Sequence, residues 1–200
     1  MPPVPGQPPR TGVVVPVRAF VAGKARLAGV LDETARAALG RTLADRVVAA
    51  AGTLPVVVVS SAPEVAAWAA DRGLARIDDP GRGLDAAVSA GRDHLAAAGC
   101  TRVVIAHADL PRARPGALER FATDAPDVVT IVPCHRDDGT PVLALPAAAS
   151  FGFAYGPDSF RAHGRAARTA GLAVRVVRDP DLGYDVDVPA DLDALPELTA

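Results

Sequence analysis

Three aspartates and two basic residues are the side chains whose types and spacing could do chemistry in this 200-residue chain. Asp109 closes the run Val103-Val104-Ile105-Ala106-His107-Ala108-Asp109-Leu110-Pro111. That run is apolar on both faces, as suits a central strand of a parallel sheet, and it carries one carboxylate at its tip. Asp185 and Asp187 flank Val186. Side chains of an extended segment alternate faces, so the two carboxylates point the same way while Val186 and Val188 turn to the core. With neither Lys nor Arg close in sequence, such a pair repels unless a cation lies between its members. Lys24 and Arg26 belong to a glycine-bearing basic segment, Ala19 to Gly29, that follows the first apolar run.

If the strands run parallel, these groups converge beyond one edge of the sheet, where ligands of open α/β sheets bind. Hard oxygen ligands with few other donors suit magnesium, which keeps several waters and bridges to substrate phosphates. The matching chemistry is phosphoryl or nucleotidyl transfer, in which catalysis is mainly positioning and charge neutralisation. Plainer readings stand beside each element. Asp109 can cap the turn before Pro111, Asp185 and Asp187 can be a solvated strand end, and Lys24 with Arg26 can be a solvated loop. The basic segment matches neither GxxxxGK[ST] nor GxGxxG.

The elements that must position these residues alternate. Gly12 to Arg18 reads as a strand, and Glu33 to Ala51 as a helix capped by Asp32 and stopped by Gly52. A strand at Pro55 to Ser60, a helix from Pro63 to Arg72 that packs Trp68 on the core, and a short strand at Leu74 to Ile77 follow. Asp78 to Asp85 is a turn-rich loop opening a helix that ends at Gly99, and bare backbone near Gly83 can admit a ligand. Thr101 to Ala106 is the strand leading to Asp109. The spacing then predicts a helix over Pro115–Thr123, a buried strand over Asp127–Pro133, and an excursion over about 134–160 that builds a substrate lobe and includes a short strand at Val142 to Leu145. A helix over Pro157–Ala170, a strand at Ala173 to Val177, the extended Tyr184–Pro189 and a helix from Ala190 to Leu195 complete the chain. The whole reads as a three-layer α/β sandwich on a mostly parallel sheet, one domain over 11–200 after a disordered, proline-rich leader at 1–10.

Composition narrows the function. Residues are 50% hydrophobic but only 4% aromatic, so Ala, Val and Leu build the core. Against 23 acidic side chains stand 21 Lys and Arg, a net charge of −2, which provides no basic field for a nucleic-acid backbone. No apolar run approaches the ~20 residues of a membrane helix. Cys100 and Cys134 make neither a disulfide framework nor a zinc pattern, which fits a reduced, cytoplasmic setting. His94, His107 and His135 show no ligand spacing, and Asp78 with Asp79 reads as a solvated turn.

In its pieces and their order the chain resembles the MobA-like nucleotidyltransferases, and within them the guanylyltransferases that act on 2-phospholactate or phosphoenolpyruvate in biosynthesis of the deazaflavin coenzyme F420. The pieces are Val15-Pro16-Val17-Arg18 with Lys24-Ala25-Arg26-Leu27, Gly83-Leu84-Asp85-Ala86-Ala87, and Ala108-Asp109-Leu110-Pro111. Further on stand Ile131-Val132-Pro133 with Gly139-Thr140, Tyr155-Gly156-Pro157-Asp158-Ser159-Phe160 with His163, and Asp185-Val186-Asp187 with Asp191-Leu192. The first loop, Pro16 to Gly23, holds a single glycine, which favours the phosphoenolpyruvate or phospholactate branch.

The resemblance implies a nucleotide-diphospho-sugar transferase-like, Rossmann-like fold. Magnesium ions would be held by Asp109, Asp185 and Asp187, and the nucleotide phosphates by the catalytic cations Lys24 and Arg26. Nucleotide contacts would come from Lys24, Gly83 and Asp85, and those to the phosphorylated carboxylic acid from Thr140, Gly156 and Ser159. Partners would be GTP and that acid, with no nucleic acid or membrane, and a homodimer remains open. Two positions depart from the family: Asp85 stands in place of asparagine, and Pro141 in place of the asparagine after the threonine. They leave open a related nucleotidyltransferase with another base or acceptor, and a catalytically silent nucleotide-binding module is the reading from outside enzymology.

Overall fold

Alternation along the first strand sets the layers. In β1 (Thr11–Pro16), Val13 and Val15 face one side of the sheet and Val14 the other, all fully buried. The computed structural model describes residues 10–21 and 23–195; the leader over 1–9 lies outside them. Val13 and Val15 pack with Ala44 and Val47 of α1 (Glu33–Ala50) and with Val65 and Trp68 of α2 (Pro63–Asp71). Val14 packs with Val88 and Leu95 of α3 (Leu84–Ala97), in the cluster that also holds Ala167 of α4 (Ser159–Thr169). Helices therefore cover both faces. Gly91 is where α3 comes closest to the sheet: a Cβ there would lie 2.4 Å from Val14 Cγ1.

Seven strands form the sheet, in the order β3-β2-β1-β4-β6-β5-β7. Their spans are β2 (Val56–Val59), β3 (Ala75–Ile77), β4 (Arg102–Ala106), β5 (Val128–Val132), β6 (Val142–Pro146) and β7 (Ala173–Val176). Neighbours are parallel except around β6, which runs antiparallel to both β4 and β5. The chain builds outward from β1 to β3 and then returns to add β4 on the other side. This makes β1 and β4 the switch point at which open sheets leave a crevice. The loops carrying Lys24 and Asp109 leave from there. No described helix is long and apolar enough to cross a membrane.

Three expectations change. Residues 142–146 are not part of a lobe set apart from the sheet. Val142 to Leu145 are buried, and β6 inserts between β4 and β5 as an antiparallel return from β5. The helix over Pro115–Thr123 is reduced to a single 3-10 turn at Glu119–Thr123. The amides of Gly116 and Leu118 bond the α1 carbonyls of Ala49 and Ala50 at 3.0 and 2.9 Å, so tertiary partners displace the helical ones. Tyr184 to Val188 joins no strand. Val186 N donates to Asp109 O, and the amides of Asp187 and Val188 donate to the Asp191 carboxylate. Asp191, in α5 (Pro189–Asp193), thus takes the place of a neighbouring strand.

Candidate active site

Lys24 is the hub. Its backbone adopts the left-handed conformation (φ 54°), a strained setting for a residue with a side chain that is retained where the surroundings over-determine it. Its ammonium donates to Asp109 Oδ2 at 2.8 Å and to Val186 O at 2.6 Å, and lies 3.9 Å from Asp187 Oδ1. One cation therefore ties the loop after β1, the end of β4 and the C-terminal segment. Arg26, on the 3-10 turn at Ala25–Leu27, is far more exposed and stands 3.9 Å from Asp187 Oδ2.

Asp109 is held by opposing forces. Burial raises its carboxyl, but the charge and the hydrogen bond of the Lys24 ammonium overcome this and hold it below the usual range. It is ionised at neutral pH. Its other oxygen, Oδ1, is buried and has no hydrogen-bond partner. Such an orphaned acceptor costs free energy unless a cation or donor arrives.

Asp185 and Asp187 share a side as expected, but the chain itself supplies a cation. Arg136 Nη2 lies 3.3 Å from Asp185 Oδ1 and 3.9 Å from Asp187 Oδ2, while Nη1 donates to Asp191 Oδ1 at 2.9 Å. His135 Nδ1 is also 3.3 Å from Asp185 Oδ1. Burial, followed by the charges of Asp109 and Asp187, still raises the Asp185 carboxyl to about 6, with Arg136 pulling the other way. A carboxyl whose native pKa exceeds its unfolded value destabilises the ionised native state, so its contribution worsens as pH rises from about 4 to 6 and stays unfavourable above. Asp185→Asn is accordingly expected to raise the thermal midpoint by a few degrees at about pH 7.5, a gain that shrinks toward zero as pH falls to about 4. Calorimetry across that range checks it, and an unchanged midpoint at the higher pH would show that Arg136 already compensates the charge.

Two clefts meet on these groups. The first, about 660 Å³, runs from the loop after β1 to the start of α3 and is lined by Lys24, Arg26, Gly81, Gly83 and Asp187. Gly83 has φ 87°, a conformation that favours glycine, and it opens the N-terminus of α3 toward the space. The second, about 550 Å³, is lined by Arg136, Thr140, Gly156, Ser159 and Asp185. Both clefts share Arg26, His107, Asp109 and Asp187.

The structure thus brings together every residue singled out in the sequence except Asp85. That carboxylate accepts the Tyr155 amide at 2.8 Å, tying the start of α3 to the loop before α4, and it lines neither cleft. Three residues were missed. Arg136 falls in the excursion over about 134–160, where the sequence assigns it no role; its signal is a cation four residues before Thr140. His107 and Tyr155 line the second cleft with rings 5.2 Å apart, and their Nε2 and hydroxyl are both buried without partners. Burial lowers the His107 pKa and raises that of Tyr155. Both rings therefore stay neutral.

Among the described residues, no three His, Cys, Asp or Glu side chains close on a common metal position. The protein offers an open edge instead: the orphaned Asp109 Oδ1, with Asp187 across Lys24 and Asp185 behind. Magnesium is commonly held by one or two carboxylates and completed by water and substrate phosphates, so this donor set fits it.

Comparison with known proteins bears on the fold and the reaction class. The family model for guanylyl transferases, CofC like, matches residues 11–196. A phosphoenolpyruvate guanylyltransferase from Rubrobacter xylanophilus is 38% identical over 185 residues, 90% of each chain. A 2-phospho-L-lactate guanylyltransferase from Halomicrobium mukohataei is 37% identical over 183 residues, 90% of this chain and 82% of that one. In fold the chain matches a solved protein from Desulfovibrio desulfuricans G20 assigned as a nucleotide-diphospho-sugar transferase, with a TM-score of 0.76 over 94% of this chain and 86% of that one at 17% identity.

Proposed function

The chain belongs to the guanylyl transferase family, CofC like, and is a nucleotidyltransferase; from that premise we propose that it joins GTP to phosphoenolpyruvate, or to 2-phospho-L-lactate, with release of pyrophosphate, as a step of coenzyme F420 biosynthesis. The observation that carries this reading is the meeting of two clefts on the Lys24, Asp109 and Asp187 cluster. A transferase needs separate places for a nucleotide and an acceptor, with charge neutralisation where they touch.

The first cleft takes GTP, its base against the backbone around Gly81 and Gly83 and its phosphates toward Lys24 and Arg26. The second takes the phosphorylated acid, with Thr140 and the bare backbone of Gly156 around its oxygens, Ser159 beside Thr140 and Arg136 at its wall. A phosphate oxygen of the acceptor attacks the α-phosphorus. The bond to the bridging oxygen of the β-phosphate breaks, and pyrophosphate leaves with the electron pair. No general base is needed, because a phosphate monoester with a second pKa of about 6 is mostly dianionic at neutral pH. Lys24 and Arg26 offset the charge on the leaving group, while Arg136 offsets that of the acceptor. Magnesium, held by Asp109 and Asp187 with Asp185 behind them, would supply Lewis-acid neutralisation of the phosphates.

The test is pyrophosphate release from each of the four nucleoside triphosphates, with magnesium and a panel of phosphorylated acids and sugar phosphates. GTP with phosphoenolpyruvate or 2-phospholactate is the expected productive pair. A preference for CTP or for a sugar phosphate would overturn the substrate assignment. Magnesium-independent GTP binding without turnover would make the chain a nucleotide-binding module.

A further inference from the structure

The hydroxyl wall of the second cleft is backed by a histidine that no solvent reaches. His163, from α4, is 0% exposed, and its ring lies between those of Phe151 and Tyr155, with centroids 5.9 and 4.6 Å away. The Ala154 amide donates to its Nε2 at 3.1 Å. An amide N–H can only donate, so Nε2 presents its lone pair and the neutral ring carries its proton on Nδ1. Nδ1 stands 3.0 Å from Thr140 Oγ1, and Nδ1–H donates to it. The Ser159 hydroxyl donates to the same oxygen at 3.4 Å.

A hydroxyl oxygen has two acceptor positions and one proton. Both acceptor positions of Thr140 are taken from behind, which leaves the proton to be offered to the cleft that Thr140 lines. Burial pushes His163 down to about 4, so the ring stays neutral and the pattern holds through neutral pH.

We infer that His163 is a positioning residue that fixes Thr140 as a donor and thereby commits this wall to an anionic oxygen of the acceptor. This rests on the second cleft being the acceptor site. A free hydroxyl can turn to suit a donor or an acceptor. Here an occupant presenting N–H or O–H finds both lone pairs of Thr140 taken, whereas a carboxylate or phosphate oxygen finds a donor already aimed at it. Donation to an anion is stronger than a neutral hydrogen bond, and a donor held in place needs no reorganisation on binding. The pair therefore favours an oxyanion over a hydroxyl or amine of similar shape.

The test follows pyrophosphate release with GTP, magnesium and phosphoenolpyruvate. His163→Phe keeps a ring between Phe151 and Tyr155 but removes both nitrogens. It is expected to raise KM for phosphoenolpyruvate about tenfold, the worth of one hydrogen bond to a charged group, with KM for GTP unchanged. His163→Asn can still donate toward Thr140 though not accept from Ala154, and it recovers most of that loss. Adding His163→Phe to Thr140→Val costs nothing further, because the partner is already gone. An unchanged KM for phosphoenolpyruvate in His163→Phe, an equal rise for both substrates, or additive losses in the double variant would overturn the inference. Imidazole nitrogen NMR of the unmodified protein reads the same point without depending on any variant's folding. A neutral Nδ1–H ring at about pH 6.5 is expected, and an Nε2–H ring or an imidazolium overturns it. An unmodified protein that shows this tautomer yet turns over no phosphorylated acid would count against the acceptor and not against the histidine.

Discussion

Asp109→Asn is expected to lower magnesium-dependent pyrophosphate release from GTP by about a thousandfold or more while leaving the protein folded. The change is nearly isosteric, so the end of β4 and the backbone bond from Val186 N to Asp109 O remain. What disappears is a charge at the point the two clefts share. Asp109 is held below the usual carboxylate range, so the anion is present throughout the neutral range and no ordinary change of pH substitutes for it. The buried Oδ1 without a partner marks where a cation would gain most. Steady-state kinetics with the thermal midpoint as control decides the matter. Near-normal turnover in Asp109→Asn would remove that carboxylate from the metal assignment.

Lys24→Met should be as damaging to turnover and more damaging to the fold. Methionine has similar length and no charge, so nothing offsets the departing pyrophosphate. It also leaves Asp109 half-buried without its cation. Breaking such a pair costs about 3–5 kcal/mol in buried settings, and the lower figure suits side chains that are 13% and 21% exposed. The sign of the pH dependence follows. With Lys24 present the native pKa of Asp109 is depressed, so the pair's stabilisation is complete above about pH 4 and is lost only as pH falls through the native value. Without Lys24, burial raises that carboxyl, and the protein should regain stability on acidification as Asp109 takes up a proton. Combining Lys24→Met with Asp109→Asn should restore most of the midpoint, since no unpaired charge stays behind, yet restore no activity. Equal midpoints for Lys24→Met and the double variant would show that the ion pair is not what holds these three segments together.

Where side chains are local in their logic, the sequence was a sufficient guide. The valine run of β1 dictated a strand buried on both faces, and the core residues divide between the two helical layers as alternation requires. Asp32 caps α1 through the Ala35 amide, as its position before an apolar period implies. Asp109, just after β4, does lie at the switch point, because a parallel sheet brings its carboxyl ends to one edge, whereas Asp185 and Asp187 reach it from a segment that joins no strand. The spacing that puts Asp185 and Asp187 on one side needed no strand to be right; two residues apart in extended backbone is enough.

What escaped the sequence depended on partners far along the chain. Asp85 reads as a base-contacting acid or as the end of a turn-rich loop, and only the approach of Tyr155, seventy residues on, engages it with a backbone amide. Arg136 has no evident role in the sequence until the return of Asp185 and Asp191 surrounds it. The direction of β6 was open because Val142 to Leu145 is equally apolar in either orientation, and the pairing with β4 and β5 selects one. The residues able to carry the chemistry, and the edge on which they collect, were thus written in the sequence by residue type and short-range period. Which carboxylate keeps an oxygen without a partner, which cation each is paired with and which way the Thr140 proton points were decided by the tertiary structure, since an ionic or hydrogen-bonding group is satisfied by whatever is nearest in space.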